Sequence, residues 1–379
     1  MKRRLIDYVL KNLDKKWSWA HLSMNPSIYM EDIMKYPNLP WDWVYVAENP
    51  NLTMEFILMN LVNFQSHYYC WTSISRNQAI TGQDVMNNPD LPWNMAIISK
   101  KDLTIDFIAS RSGFDWQEIS KKYITIDIIK KYRHFPWDWA SISKNQGITM
   151  QDIENNPDLP WDLYYVAENP NINIDFVKKN EYNFNQNSSR YSCWSSISSN
   201  KGITISDIEN NPDLPWSWSS ITFNPNISVD YIRNNLDKKW DKWSISVYAQ
   251  ISDIENNPHI QWDWHHISEN PNITIPFIRN NINKNLYWPV LSKNRPISEI
   301  ENNIDLPWSF THVSLNPNIN IEFVKNNLDK DFSWDYLSRN MSITIQQIDD
   351  NPDLPWDWES ISMRDYDKDM SVVEYNIYN

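Results

Sequence analysis

Glycine is almost missing from this chain: four residues in 379, beside 22 prolines and 22 tryptophans. So few cannot serve as general helix stops, and they build no glycine-rich phosphate loop. Cysteine is equally scarce. Cys70 and Cys193 lie 123 residues apart, which rules out a disulfide framework and predicts two reduced thiols in a cytosol-like compartment. Long apolar runs are absent, so nothing approaches the roughly 20 residues needed to cross a bilayer. Met1-Lys2-Arg3-Arg4 leads only into a short apolar stretch, broken by Asp7, and no signal peptide is expected. Positive charge is outnumbered, 34 Lys and Arg against 48 Asp and Glu, for a net charge of −14. That balance argues against a general phosphate-binding surface and favours a basic partner. These absences predict a soluble, cytoplasmic protein with no membrane partner.

What is present is a repeated phrase of about 24 residues. Anchored on the second residue of its Trp-x-Trp, it recurs at Trp19, Trp43, Trp71, Met95, Trp116, Trp139, Leu163, Trp194, Trp218, Lys242, Trp264, Trp288, Phe310, Trp334 and Trp358. Most steps are 22 to 24 residues, with 28 between Trp43 and Trp71 and 31 between Leu163 and Trp194. Fifteen copies at this period predict an all-α solenoid of two-helix units, since one copy cannot bury its apolar face alone. Residues 1–16 form an N-terminal half repeat, 17–358 the array, and 359–379 a C-terminal half repeat and cap.

The first half of each copy reads as a short helix, with Pro160 at its start and Asp162 in its first turn. Trp139, Ile142 and Ser143 share one face, so the second Trp is expected in the core. The Ser143 position stays small throughout, from Ser23 and Ala47 to Ser362, which predicts close backbone approach. Two residues later Asn recurs eleven times, as at Asn25, Asn145 and Asn316, and is expected to supply the left-handed helix stop that glycine cannot. The first Trp of each pair, such as Trp137, points away from the second and is expected against the preceding Leu-Pro turn.

The second half opens on Thr or Ser. Thr81 with Asp84, Thr149 with Asp152, Thr204 with Asp207 and Thr344 with Gln347 read as capping boxes. The alternate type carries an aromatic there instead: Phe56, Phe107, Phe176, Tyr231, Phe277 or Phe323. Trp41–Trp93 and Trp161–Trp216 resemble each other beyond the unit, which indicates a duplicated block. Both blocks hold an insertion, near 63–69 and 183–192, where arrays often place binding loops. Two residues are missing before Ser252 and again before Ser298, predicting a tightened turn.

The phrase Asn351–Ser362 resembles the Trp-rich tandem repeats of proteins from giant DNA viruses of protists. That resemblance implies action in a host cytoplasm and capture of a host or viral protein. The unit, with Asn169-Pro170 and Asn270-Pro271 at the first helix end, also resembles the leucine-rich repeat variant. This implies a right-handed superhelix of α and short 3₁₀ helices. Neither family brings a known activity.

No enzyme is read from these residues. Asp42, Asp138, Asp162, Asp263 and Asp357 each stand between two anchor positions and belong to the repeat. His265 and His266 are neighbours on a helix and point apart, so no metal ligand set forms. No motif calls for a cofactor. Variation concentrates two residues after the second Trp, at His21, Tyr45, Glu118, Tyr165, His266, His312 and Tyr336, about 200° round the helix and expected to face solvent. The function expected is a non-enzymatic scaffold holding a protein on that line. The alternative is a modular nucleic-acid binder reading one nucleotide per copy, which the acidic charge disfavours.

Overall fold

The computed structural model describes residues 5–186 and 193–365, and among them it is all-helical. The helices are mostly four to seven residues long, two per copy, as in Trp139–Ser143 followed by Met150–Asn155. Both halves are α; no 3₁₀ helix occurs among the described residues. The residues divide into two compact units, one formed by the chain up to Phe114 together with the chain from Trp288, the other by Asp115–Tyr287.

Outside the two insertion copies, whose first helices are Tyr68–Arg76 and Cys193–Ser199, each first helix begins at the second-Trp position rather than at the proline. Asp162 is therefore its N-cap, accepting from the N–H of Tyr164 at 3.0 Å, and Pro160 lies in the approach. The first Trp precedes the helix and closes the incoming turn. Trp41, 8% exposed, donates its indole N–H to the carbonyl of Tyr36 at 2.9 Å. Trp93, Trp216 and Trp356 do the same to the residue five before each. Its partner across the joint is the second Trp of the preceding copy, met edge to face. The pair Trp19–Trp41 has ring centroids 5.4 Å apart at 83°, and Trp139–Trp161 5.4 Å apart at 86°. The expectation of a buried second Trp is thus reversed for most copies. Trp71 and Trp194 are buried, whereas Trp19, Trp43, Trp139 and Trp264 are half-buried, because the Ile and the small residue take the innermost direction.

The small position has a second role. Ser23 Oγ accepts from the N–H of Asp42 at 2.9 Å, and Ser143 and Ser198 repeat this with Asp162 and Ser217. Ala47 and Ala167 break the pattern just where the insertions follow, since no next N–H arrives at the usual spacing.

The recurring Asn is not a left-handed stop. No non-glycine residue among those described has positive φ, and Asn25 is extended at φ −68°, ψ 132°. Its side chain spaces the copies instead. Asn49, fully buried, donates to the carbonyls of Ser23, Asn25 and Ile28 at 2.9 to 3.1 Å, while its Oδ1 accepts from the N–H of Asn51. A helix end that would leave orphan carbonyls is thereby satisfied by the next copy.

The second helices form as the sequence predicts. Thr81, Thr149, Thr204 and Thr344 make complete capping boxes. In the aromatic type, Phe277 stacks on Trp264 at 5.9 Å and Phe56 on Trp43 at 6.1 Å. The two shortened copies extend the first helix, to Lys242–Tyr248 and Trp288–Asn294, and leave two residues before the next. No helix among the described residues is long and apolar enough to cross a membrane.

Within the first unit the last copy meets the first. Trp358 and Trp17 lie 5.4 Å apart at 75°, and Asn25 donates to the carbonyls of Ser362 and Arg364 at 2.8 and 2.9 Å. Arg364 is 3% exposed in that joint, so the start of the expected C-terminal cap is interior; its later residues lie outside those described.

Candidate interaction surface

The seven variable residues are all half-buried rather than open. Two of them fold back over their own N-cap, three residues earlier, and three are covered by a cation. His266 Nδ1 lies 2.8 Å from Asp263 Oδ2, and His312 Nδ1 lies 2.8 Å from Ser309 Oγ. Glu118 pairs with Lys121 at 2.8 Å. Tyr165 packs under the Lys144 ammonium at 5.0 Å, and Tyr336 under the Arg339 guanidinium at 5.5 Å. His21 and Tyr45 are likewise half-covered. Tyr45 belongs to the first unit; Tyr165 and His266 belong to the second.

The most open line runs five positions after the anchor, exposed at Glu48, Arg76, Lys121, Phe223 and Glu269, and is joined in some copies by the residue one after the anchor, as at Gln117 and Trp243. In the second unit it carries an aromatic surface that the anchor pattern alone does not reveal. In copy ten Lys242 takes the anchor and Trp243 follows, so this tryptophan is turned 100° off the joint. Trp243 is 38% exposed and Phe223 54%. The two stack at 6.2 Å with 21° between their planes. His266 meets the Trp243 ring edge-on at 6.0 Å. His265 touches His266 at 5.1 Å and stacks on Tyr287 at 4.0 Å. The signal in the sequence was Trp240-Asp241-Lys242-Trp243, a Trp-x-x-Trp where the repeat demands Trp-x-Trp.

Carboxylates frame this surface. Burial works against ionisation of Asp263, but hydrogen bonds from the His266 side chain and from the N–H groups of His266 and His265 prevail and hold the carboxyl below its usual range. Asp241 caps its helix through the N–H of Ser244 at 2.9 Å, and Glu269 is exposed. Lys242 is tied to Gln261. Other cations on the open line are engaged too, Lys121 by Glu118 and Lys144 by Glu168 at 2.9 Å.

Each insertion opens on a helix among the described residues. Leu61–Gln65 and Glu181–Gln186 carry Phe64 and Phe184, both essentially inaccessible, and Phe64 meets Trp43 edge to face at 5.3 Å where another copy would offer its first Trp. Residues 187–192 of the second insertion lie outside those described. Beside each insertion a groove opens. Glu48, Pro50, Ser73 and Arg76 line one of about 370 Å³; Glu168, Pro170, Ser196 and Lys201 line the other, of about 430 Å³.

Among the described residues no group of His, Cys, Asp or Glu is placed to hold a metal ion. The Asp residues between anchors act as N-caps: Asp138 accepts from the N–H of Ser141 at 2.9 Å and Asp357 from that of Ser360 at 3.3 Å. No protein-family model, curated protein or solved structure matches the chain.

Proposed function

We propose that the chain is a non-enzymatic repeat scaffold that binds another protein on the open face of its first helices, with Phe223, Trp243 and His266 as the aromatic contact. The observation that carries this is the exposed Trp243–Phe223 stack, in an array that otherwise turns its tryptophans into the joints. Aromatic rings with a polar neighbour give large contact area at low entropic cost, as interface anchors do. The framing carboxylates and the net charge of −14 select a partner with basic side chains, which can sit over the ring faces while pairing with Asp263 or Glu269. Carboxylates consumed as helix caps support a role without catalysis. For a virus-encoded protein the partner is a host or viral protein of the host cytoplasm.

The nucleic-acid reading requires cations beside the stacked rings, and this surface has acids instead. The experiment is affinity capture with cross-linking, comparing the native chain with Phe223→Ser/Trp243→Ser. Both positions are exposed, so the variant keeps its fold. The expected result is a protein captured by the native chain and lost by the variant. A salt-dependent shift of unrelated DNA and RNA, abolished by the same variant, would instead establish the nucleic-acid reading.

A further inference from the structure

The joint between the last copy and the first is built like the internal joint after copy nine, with one difference: its two sides are joined by contacts alone. In copy nine, Lys238 lies over the Trp218 ring at 5.5 Å, and Trp240 meets Trp218 edge to face at 5.2 Å. Both partners come from the second half that follows Trp218 directly in sequence. At the last copy, Lys15 lies over the Trp358 ring at 5.5 Å and Trp17 meets Trp358 at 5.4 Å. Ser18 N–H donates to Ser362 Oγ at 3.2 Å, as Asp42 does to Ser23. Tyr8 donates to Asp349 at 2.8 Å, reaching from one second helix to the preceding one. The helix Leu5–Lys11, with Leu5, Ile6 and Val9 at most 2% exposed, therefore stands where the second helix of the last copy belongs. The residues it serves are more than 340 positions away in sequence.

The chain also encodes another segment of this kind. Ser371-Val372-Val373-Glu374 has the capping-box pattern of a second helix and follows the last anchor directly; it lies outside the described residues. Fifteen anchors are thus matched by sixteen second-helix sequences.

We infer that the place beside the helix Trp358–Ser362 is an exchange socket, filled by residues 5–17 of the same chain and able to take those residues from a second copy. The partner is this chain itself. The interface is heterologous, one face on the last copy and a different face on the first, so opening it frees both faces to pair head to tail. Within one chain the ends hold a high effective concentration for each other, and exchange requires that this advantage be weakened.

The test uses the full chain and a fluorescent peptide of residues 1–17. Val9→Asp places a charge in the buried face of the N-terminal helix and vacates the socket. That chain is expected to bind the peptide saturably, at least tenfold more tightly than the native chain, and to form dimers and larger species on sizing columns. A peptide carrying Val9→Asp must not bind. Ser18→Cys/Ser362→Cys, oxidised, locks the joint and must refuse the peptide. Should Val9→Asp lose the helical circular dichroism of the native chain, Tyr8→Phe/Lys15→Ala weakens the same contacts without adding a charge, and its peptide uptake must lie above native. Equal uptake by native and loosened chains, or none by either, overturns the proposal.

Discussion

The side-chain amide of Asn169 donates to the backbone carbonyl of Asn145 at 3.1 Å, and Asn145 in turn donates to that of Ser120 at 2.9 Å. Each asparagine satisfies the helix end of the copy before it and is itself satisfied by the copy after it. The ladder therefore sets the spacing between copies as well as their cohesion. At two places where asparagine is replaced, a cation makes equivalent bonds: Lys101 reaches the carbonyls of Asn77 and Ile80, and Arg364 those of Ser338 and Ile343.

Asn169→Ala leaves three buried carbonyls, of Ser143, Asn145 and Ile148, without this donor. The Asn145 carbonyl keeps the N–H of Ile148 and the Ile148 carbonyl keeps the Asn171 amide, so the full penalty falls on the Ser143 carbonyl and the expected loss is about 1 to 3 kcal/mol in urea unfolding. Asn171→Ala removes bonds to Gln146 and Ile148 that lie nearer solvent and is expected to cost less than about 1 kcal/mol. Equal losses for the two would refute the ladder as the main polar tie.

Gly82→Ala tests how closely two copies approach. In a free helix the change would stabilise by up to about 1 kcal/mol. A Cβ at Gly82 would fall 1.8 Å from the carbonyl oxygen of Asp102, a backbone atom that cannot swing aside. The expected outcome is a loss of about 1 to 3 kcal/mol, as in overpacked cores. A rise in melting temperature would mean that the copies give way there.

Burial first, and the nearby Asp42 charge second, push the Cys70 thiol up to about 11. A raised acid pKa adds stability below the ordinary thiol range, and that contribution is lost as pH rises through about 11. At pH 8 its thiolate fraction is about 100-fold below that of an unperturbed thiol. Alkylation by iodoacetamide is expected to be slowed at least that much until urea unfolds the chain. Labelling of Cys70 in the native protein at a free-thiol rate would contradict the burial.

The all-α repeat was legible because its spacing and capping boxes are local properties. Thr149 and Asp152 bond within one helix, so the pattern alone locates the bond. Joint chemistry was harder to read. Asn and Ser recur in fixed places, but that Asn49 spans to Ser23 and Ile28 depends on how copies stack, which no single unit specifies. Reading Asn as a left-handed stop applied a local rule to a residue whose work lies in the next copy. The meeting of Trp17 with Trp358 likewise joins the first copy to the last, a pairing that no single repeat specifies. Trp243 was readable in principle, through its one-residue shift, yet its neighbours Phe223 and His266 come from the flanking copies and become a surface only on folding.

Trp41→Ala combines these points. The indole is buried, donates to Tyr36 and meets Trp19 edge to face, so the truncation is expected to cost about 3 to 5 kcal/mol. Stability in a repeat array passes between neighbours. Amide exchange should therefore rise first in the helices Trp19–Met24 and Trp43–Val46 that flank the deletion. The contact of the first copy with the last adds a second route. Through Trp17 and Asn25, loosening of the first copy reaches the helix Trp358–Ser362 in one step. That helix should lose protection before Phe310–Val313 in the same unit, although it is farther along the chain from the mutation. If protection instead fades evenly with sequence distance, leaving Trp358–Ser362 as the last to respond, the two ends do not share a joint in solution.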